Sequence, residues 1–288
     1  MNGILKEGAR IGIVCCSNGI NRARCGEVDG LEERLRMLGF CPVLSDHIYE
    51  VEGSASGGTA QERAQALMEF YRDDGIDGIF DISGGDLANG ILPYLDYDVI
   101  ADSDKMFWGY SDLTTVINAI YAKTGRASAL YQIRNLIYDH GARQTADFKN
   151  TVTGQGDDLF RIKYRQLARM RGIVVGGNIR CFLKLAGTEY MPDLQDKVLL
   201  LESYSGSAAR IETYLCQLEQ LGAFRMVAGI VLGTFTEMQE KKAGPPIDKL
   251  VRRFAGEKLP IAVTDEIGHG TDAKGIVIGQ EFRGIRDV

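Results

Sequence analysis

Along its first half the chain alternates between two apolar periods. The run "RIGIVCC" (10–16) is continuously apolar, as expected of a strand covered on both faces. In "EVDGLEERLRMLGF" (27–40), Val28, Leu31, Leu35 and Leu38 recur on one helical face, and Gly39 supplies a stop. "CPVLSD" (41–46) predicts a second strand. Thr59 and Glu62 have capping-box spacing, which predicts a helix running into "RAQALMEFYRD". The runs "GIDGIFDIS" (75–83), "KMFWGY" (105–110) and "ALYQI" (129–133) continue the series. Strand and helix in alternation predict a parallel sheet with right-handed crossovers.

Residues 141–171 lose this rhythm and turn polar and glycine-rich, the composition of an inter-domain segment. After them come "GIVVGG" (172–177), "KVLLLE" (197–202), a helix through "ARIETYLCQLEQLG" (209–222), and the runs "MVAGIVLGTF", "LPIAVTD" and "GIVIGQEF". The expected fold is therefore α/β. A doubly wound, mostly parallel N-terminal domain (1–140) is joined by a connector (141–171) to a smaller, strand-rich C-terminal α/β domain (172–288).

Composition narrows the function. At 288 residues, 45% apolar and 25% charged, the chain reads as soluble and globular. A net charge of −6 and a pI near 5.3 argue against a nucleic-acid surface. No apolar run reaches membrane-spanning length, and the start lacks signal-peptide character. The six cysteines show no C-x-x-C pair and no metal-like spacing with histidine, and several sit in apolar runs, where buried thiols in a reducing cytoplasm are the preferred reading. No metal or cofactor is expected, and neither dinucleotide nor P-loop glycine patterns occur.

Any Ser-His or Cys-His mechanism must choose among His47, His140 and His269. His269 lies in "GHG" directly after an apolar run, where two glycines leave the imidazole sterically open; an ordinary glycine-rich turn is the competing reading. Glu202 closes "KVLLLE" at the carboxyl edge of a strand, where open α/β sheets build their sites, although a solvated strand-end glutamate is common. Ser111 follows "KMFWGY" in the same topological position, and Ser-Asp there also suits a helix N-cap. The G-x-S-x-G elbow is not met, because Leu113 stands where its second glycine belongs. In "FDISGGDLANGILPYLDYD" (80–98), Gly84 and Gly85 can turn backbone amides toward a ligand or an oxyanion, or simply make a turn.

These segments resemble the LD-carboxypeptidase family of serine peptidases, which includes the microcin C immunity proteins. The resemblance spans nearly the whole chain. It rests on "SGGDLANGILPYLDYDVI", "FWGYSDLTTVINAIYAKTG", "GGNI" (176–179), "LLLES", "LEQLGAFRMVAGIVLGTF" and "IGHG". It implies a catalytic trio of Ser111, Glu202 and His269, with oxyanion amides from Gly85 and Asp112. Gly84, Asp86, Asn178 and Arg180 are the candidate substrate contacts, and Arg210 is a second basic candidate near the motifs. The resemblance further implies a cytoplasmic homodimer that releases D-alanine from murein tetrapeptides, a small peptide substrate.

The alternative within the same chemistry is cleavage of an aminoacyl-nucleotide toxin. Relatives of that kind use an aromatic-bearing loop near the connector, which here lacks tryptophan but holds Phe148, Phe160 and Tyr164. Asp86 also departs from the family, where many members carry a larger uncharged residue. A non-catalytic peptide or sugar binding protein is the reading from another class.

Overall fold

The computed structural model describes residues 5–242 and 244–282; the first four residues of the start considered above lie outside this range. Five parallel strands follow one another through the first half: β1 (Arg10–Val14), β2 (Cys41–Leu44), β3 (Gly78–Asp81), β4 (Phe107–Gly109) and β5 (Ser128–Leu130). Between and after them run α1 (Cys25–Met37), α2 (Ala60–Arg72), α3 (Tyr97–Asp102), α4 (Thr114–Thr124) and α5 (Gly141–Val152). The capping box at α2 is present in full: Thr59 accepts from the Glu62 amide while Glu62 accepts from the Thr59 amide.

A second sheet has the parallel order β6 (Val174–Asn178), β7 (Val198–Ser203), β8 (Gly229–Phe235) and β9 (Ile261–Val263). Its helices are α6 (Ile179–Leu183), α7 (Ala208–Gln220), α8 (Ala223–Met226), α9 (Thr236–Lys241) and α10 (Ile247–Ala255). The last strand, β10 (Ile276–Ile278), leaves this unit and pairs antiparallel with β5. The first sheet thus has six strands in the order β10-β5-β4-β3-β1-β2. The α/β class with a mostly parallel N-terminal sheet and a separate smaller parallel sheet agrees with the sequence reading.

Two apolar cores cover the two faces of the six-stranded sheet. One holds Ile13, Leu31, Phe80, Trp108 and Phe148; the other runs from Leu67, Ile79 and Val116 into Leu200, Val231 and Ala262 of the second sheet. The second core is continuous across both sheets, so they are welded by apolar burial rather than hinged on a linker. Within the expected connector, α5 packs Phe148 against Phe40, Phe80, Trp108 and Tyr131 of the first unit.

Polar contacts then set the register between the units. Gly176 and Gly177 close β6, and a Cβ on Gly177 would lie 2.7 Å from Thr114 Oγ1 on α4. This close approach lets Asn118 of α4 bond both backbone groups of Gly176, at 2.8 and 2.9 Å. The Asn178 amide donates to Thr114 Oγ1 at 3.1 Å, and Asn178 sits opposite Glu202 in the β6–β7 register. The start of α4, just after Ser111, is therefore held against the strand pair that ends in Glu202.

Candidate active site

Ser111 is a non-glycine residue at φ +54°, in the left-handed region that costs an L-residue about 1–2 kcal/mol. It opens a 3-10 turn, Ser111–Leu113, that feeds α4, and no side chain caps either element. The capping role considered for Ser111 is thus unused; the hydroxyl points elsewhere. The backbone can turn this sharply because Gly109 lets Leu113 fold back: a Cβ there would lie 2.7 Å from the Cβ of Leu113.

Glu202 is fully buried at the end of β7, where the β7–β8 register shifts between Leu201 and Ser203. Such an irregularity re-aims a side chain at a strand end. His269 is carried by a loop laid directly over β8. The Thr234 amide donates to Ile267 O at 2.8 Å, and a Cβ on Gly268 would fall 1.7 Å from Thr234 Oγ1. Glycine before His269 is thus a packing requirement, and the same holds at Gly233, where a Cβ would meet Ile267 O at 2.5 Å.

The three side chains converge. His269 Nε2 lies 3.1 Å from Ser111 Oγ, and His269 Nδ1 lies 2.8 Å from Glu202 Oε2. Two tyrosines enclose the imidazole: Tyr110 meets it edge-on at 4.7 Å between ring centroids, and Tyr204, largely exposed, tilts over it at 5.0 Å. The loop bearing Tyr204 is tied down by Glu237, which accepts from the Gly206 amide at 2.6 Å.

The glycine pair stands beside the serine, with a Cβ on Gly84 only 3.9 Å from Ser111 Cβ. Gly85 has φ +121°, and its amide donates to no protein acceptor among the described residues. Asn18 braces this segment, donating its amide to Gly84 O at 3.1 Å and accepting from the Asp86 amide at 3.0 Å. Asp112 is fully buried; its carboxylate accepts from Ser17 Oγ at 2.7 Å and from the Ala88 amide at 2.8 Å. Behind it, buried Asp81 accepts from the Cys16 and Ser83 amides, and desolvation pushes its carboxyl above the usual range. Together Asp81, Ser17 and Asp112 lock the glycine-pair loop to the turn that carries Ser111.

The remaining candidates lie at the rim. Arg180 pairs with Asp86 and donates Nη2 to Gly85 O at 3.0 Å, and this partner holds the Asp86 carboxyl below its ordinary range. Asn178 is buried, and its side chain caps α6 by accepting from the Cys181 amide. Arg210 is exposed on α7. Of the other histidines, His47 bonds Gly57 O at 2.7 Å and His140 sits at the N-cap of α5. Among the described residues no group of three His, Cys, Asp or Glu could hold a metal ion, and no helix is long and apolar enough to cross a membrane. Sequence reasoning missed Tyr110, Tyr204, Ser17, Asn18 and Lys184. Tyr110, Tyr204, Ser17 and Asn18 carried a usable signal, since each follows the carboxyl end of a strand; Lys184 did not.

This two-domain α/β arrangement belongs to a hydrolase of the peptidase class. The chain is a member of the LD-carboxypeptidase family: residues 11–132 match its N-terminal domain and residues 171–283 its C-terminal domain. A Treponema pallidum protein named, without established activity, as a carboxypeptidase is 29% identical over 97% of this chain and 90% of its own length. The microcin C7 self-immunity protein MccF of Escherichia coli is 28% identical over 71% of this chain and 70% of its own. The structure of MccF with glutamyl sulfamoyl guanosine superposes with a TM-score of 0.84 over 97% of this chain and 93% of that one, at 22% identity. A muramoyltetrapeptide carboxypeptidase from Oxalobacter formigenes gives a TM-score of 0.76 over 95% and 94%, at 19% identity.

Proposed function

We propose that the protein is a serine peptidase that hydrolyses an amide next to a free terminal carboxylate, with D-alanine released from murein tetrapeptides as its reaction. The observation that carries this reading is the continuous line Ser111 Oγ, His269, Glu202 at 3.1 and 2.8 Å. In this mechanism His269 Nε2 takes the Ser111 proton while Glu202 holds the Nδ1–H and stabilises the imidazolium that forms. Ser111 Oγ attacks the scissile carbonyl, and the amides of Gly85 and Asp112 receive the developing oxyanion. His269 then returns the proton to the leaving amine, and water, deprotonated by the same imidazole, releases the acyl group. No metal or cofactor enters the reaction. Residues 1–140 contribute the nucleophile, residues 172–288 the base and its carboxylate, and the segment 141–171 joins them.

The substrate assignment is supported by where the connector's aromatics go. Phe148 is buried in the first core, Phe160 stacks on Trp108 at 5.6 Å, and Tyr164 packs against Phe282. Phe160 and Tyr164, both half-buried, line a cavity with Val174, Ile276 and Phe282 whose lining includes none of Ser111, Glu202 and His269. A small peptide is thus favoured over an aminoacyl-nucleotide, the class bound in the MccF structure; a cytoplasmic homodimer is the part of this reading that rests on the family resemblance alone.

The test is turnover of a murein tetrapeptide by the parent and by Ser111→Ala. The expected loss is about a million-fold. Equal rates would remove the serine from the mechanism, a large preference for an aminoacyl-sulfamoyl nucleotide would move the enzyme to the other branch, and tight ligand binding without labelling by a serine probe would make it a binding protein.

A further inference from the structure

Beyond the trio, one side chain touches both members of the Glu202–His269 pair. Tyr110 directly precedes Ser111, is 4% exposed, and places its hydroxyl 3.3 Å from Glu202 Oε2 and 3.3 Å from His269 Nδ1. Proton bookkeeping decides between those partners. Nε2 must be an acceptor to take the Ser111 proton, so the neutral imidazole carries its hydrogen on Nδ1 and directs it at Glu202 Oε2. Nδ1 has no lone pair left to accept, and the phenolic hydrogen goes to Glu202 Oε2.

The Glu202 carboxylate is otherwise bare. It is fully buried, and its Oε1 has no partner among the described residues. Both donors, the imidazole N–H and the phenol, therefore share one oxygen. The other groups facing this cluster are Ser111 on Nε2 and the Tyr204 ring over the imidazole. Asp112, next along the chain, is occupied by Lys184 and Ser17.

We propose that Tyr110 is a positioning residue that holds the Glu202 carboxylate through its hydroxyl and thereby sets the basicity of His269. This rests on the serine-peptidase reading above. A hydrogen bond to a carboxylate spreads its charge and weakens its pull on a neighbouring cation. With the phenol present, the imidazolium is stabilised enough to form but releases its proton to the leaving amine. Without it the carboxylate binds the imidazolium more strongly, and His269 becomes a stronger base but a poorer acid. Burial and the adjacent Glu202 push the Tyr110 phenol far above its ordinary value, so it remains a donor at every working pH.

The experiment is the pH profile of kcat/KM on a murein tetrapeptide for the parent, Tyr110→Phe, and protein carrying 3-fluorotyrosine at position 110. Tyr110→Phe should lower kcat about tenfold, the worth of one hydrogen bond to a charged group, with KM nearly unchanged. Its acidic limb should move upward by about half a pH unit. Fluorotyrosine keeps the shape, donates more strongly, and should move the limb downward. Glu202→Gln, which removes the charge altogether, should also move it downward. An acidic limb that stays in place with both phenylalanine and fluorotyrosine overturns the proposal. If Ser111→Ala retains full activity, the serine reading itself has failed; an inactive Ser111→Ala with an unmoved limb sinks only the role of Tyr110.

Discussion

Lys184 Nζ lies 2.5 Å from Asp112 Oδ1, an ion pair that crosses from the end of α6 to the residue directly after Ser111. The same ammonium donates to Asp86 O at 2.9 Å. One lysine of the second unit thus ties together both segments proposed to supply oxyanion amides. The Asp112 side chain is fully buried and that of Lys184 is 19% exposed, so removing one partner leaves an uncompensated buried charge. Lys184→Met should cost about 3–5 kcal/mol in a denaturant titration. Adding Asp112→Asn should recover much of that loss, whereas simple additivity of the two changes would mean that the charges do not interact.

The strained backbone at Ser111 predicts an inverted substitution order. Glycine normally destabilises relative to alanine, by about 0.5–1 kcal/mol in regular structure. At φ +54° the preference reverses, and Ser111→Gly should be the more stable variant by about 1 kcal/mol. Thermal unfolding of Ser111→Gly and Ser111→Ala decides it; a more stable alanine variant would mean that the serine is not strained.

The two glycines of the pair should respond unequally. A Cβ on Gly85 would lie 2.3 Å from the Asn18 carboxamide at a φ only glycine adopts freely, whereas one on Gly84 makes ordinary contact. Gly85→Ala should lower kcat by about 10²–10³, the scale of a lost oxyanion donor, and Gly84→Ala by far less. Equal effects would detach Gly85 from the oxyanion.

Asp86 gives a signed dependence of stability on pH. Arg180 holds its carboxyl below the ordinary aspartate value of about 3.9, so the pair's contribution is present above that value. It disappears as pH falls through the lower folded-state value. Since the Asp86 side chain is 64% exposed, the contribution is less than about 1 kcal/mol. Urea midpoints of parent and Asp86→Asn should differ at pH 6 and merge in acid; a gap that persists at the lowest pH would point to a cause other than charge.

Much of this arrangement was legible because one rule covers it. Ser111, Glu202 and His269 each end or closely follow an apolar run, and the carboxyl edges of parallel strands are brought together by the fold whatever the intervening sequence. What escaped was set by contacts rather than by period. The three-residue apolar run of β10 does not encode which sheet it joins. The helix α5 buries Phe148 and Val152 in a stretch whose composition reads as linker. The left-handed backbone of Ser111 leaves no trace in residue type, because serine is an equally good cap. Lys184 reads as a surface lysine until the second unit is docked and Asp112 lies beneath it.

Almost 160 residues of chain separate Ser111 from His269, and in the mechanism proposed here neither does anything without the other. A ribosome that has made the first unit has made a serine with no base to activate it, however well that unit has folded. Glu202 adds only a carboxylate. The imidazole follows much later in the chain, just before the strand that closes the first sheet. On that mechanism, products of interrupted translation that stop before residue 269 carry the serine without its base.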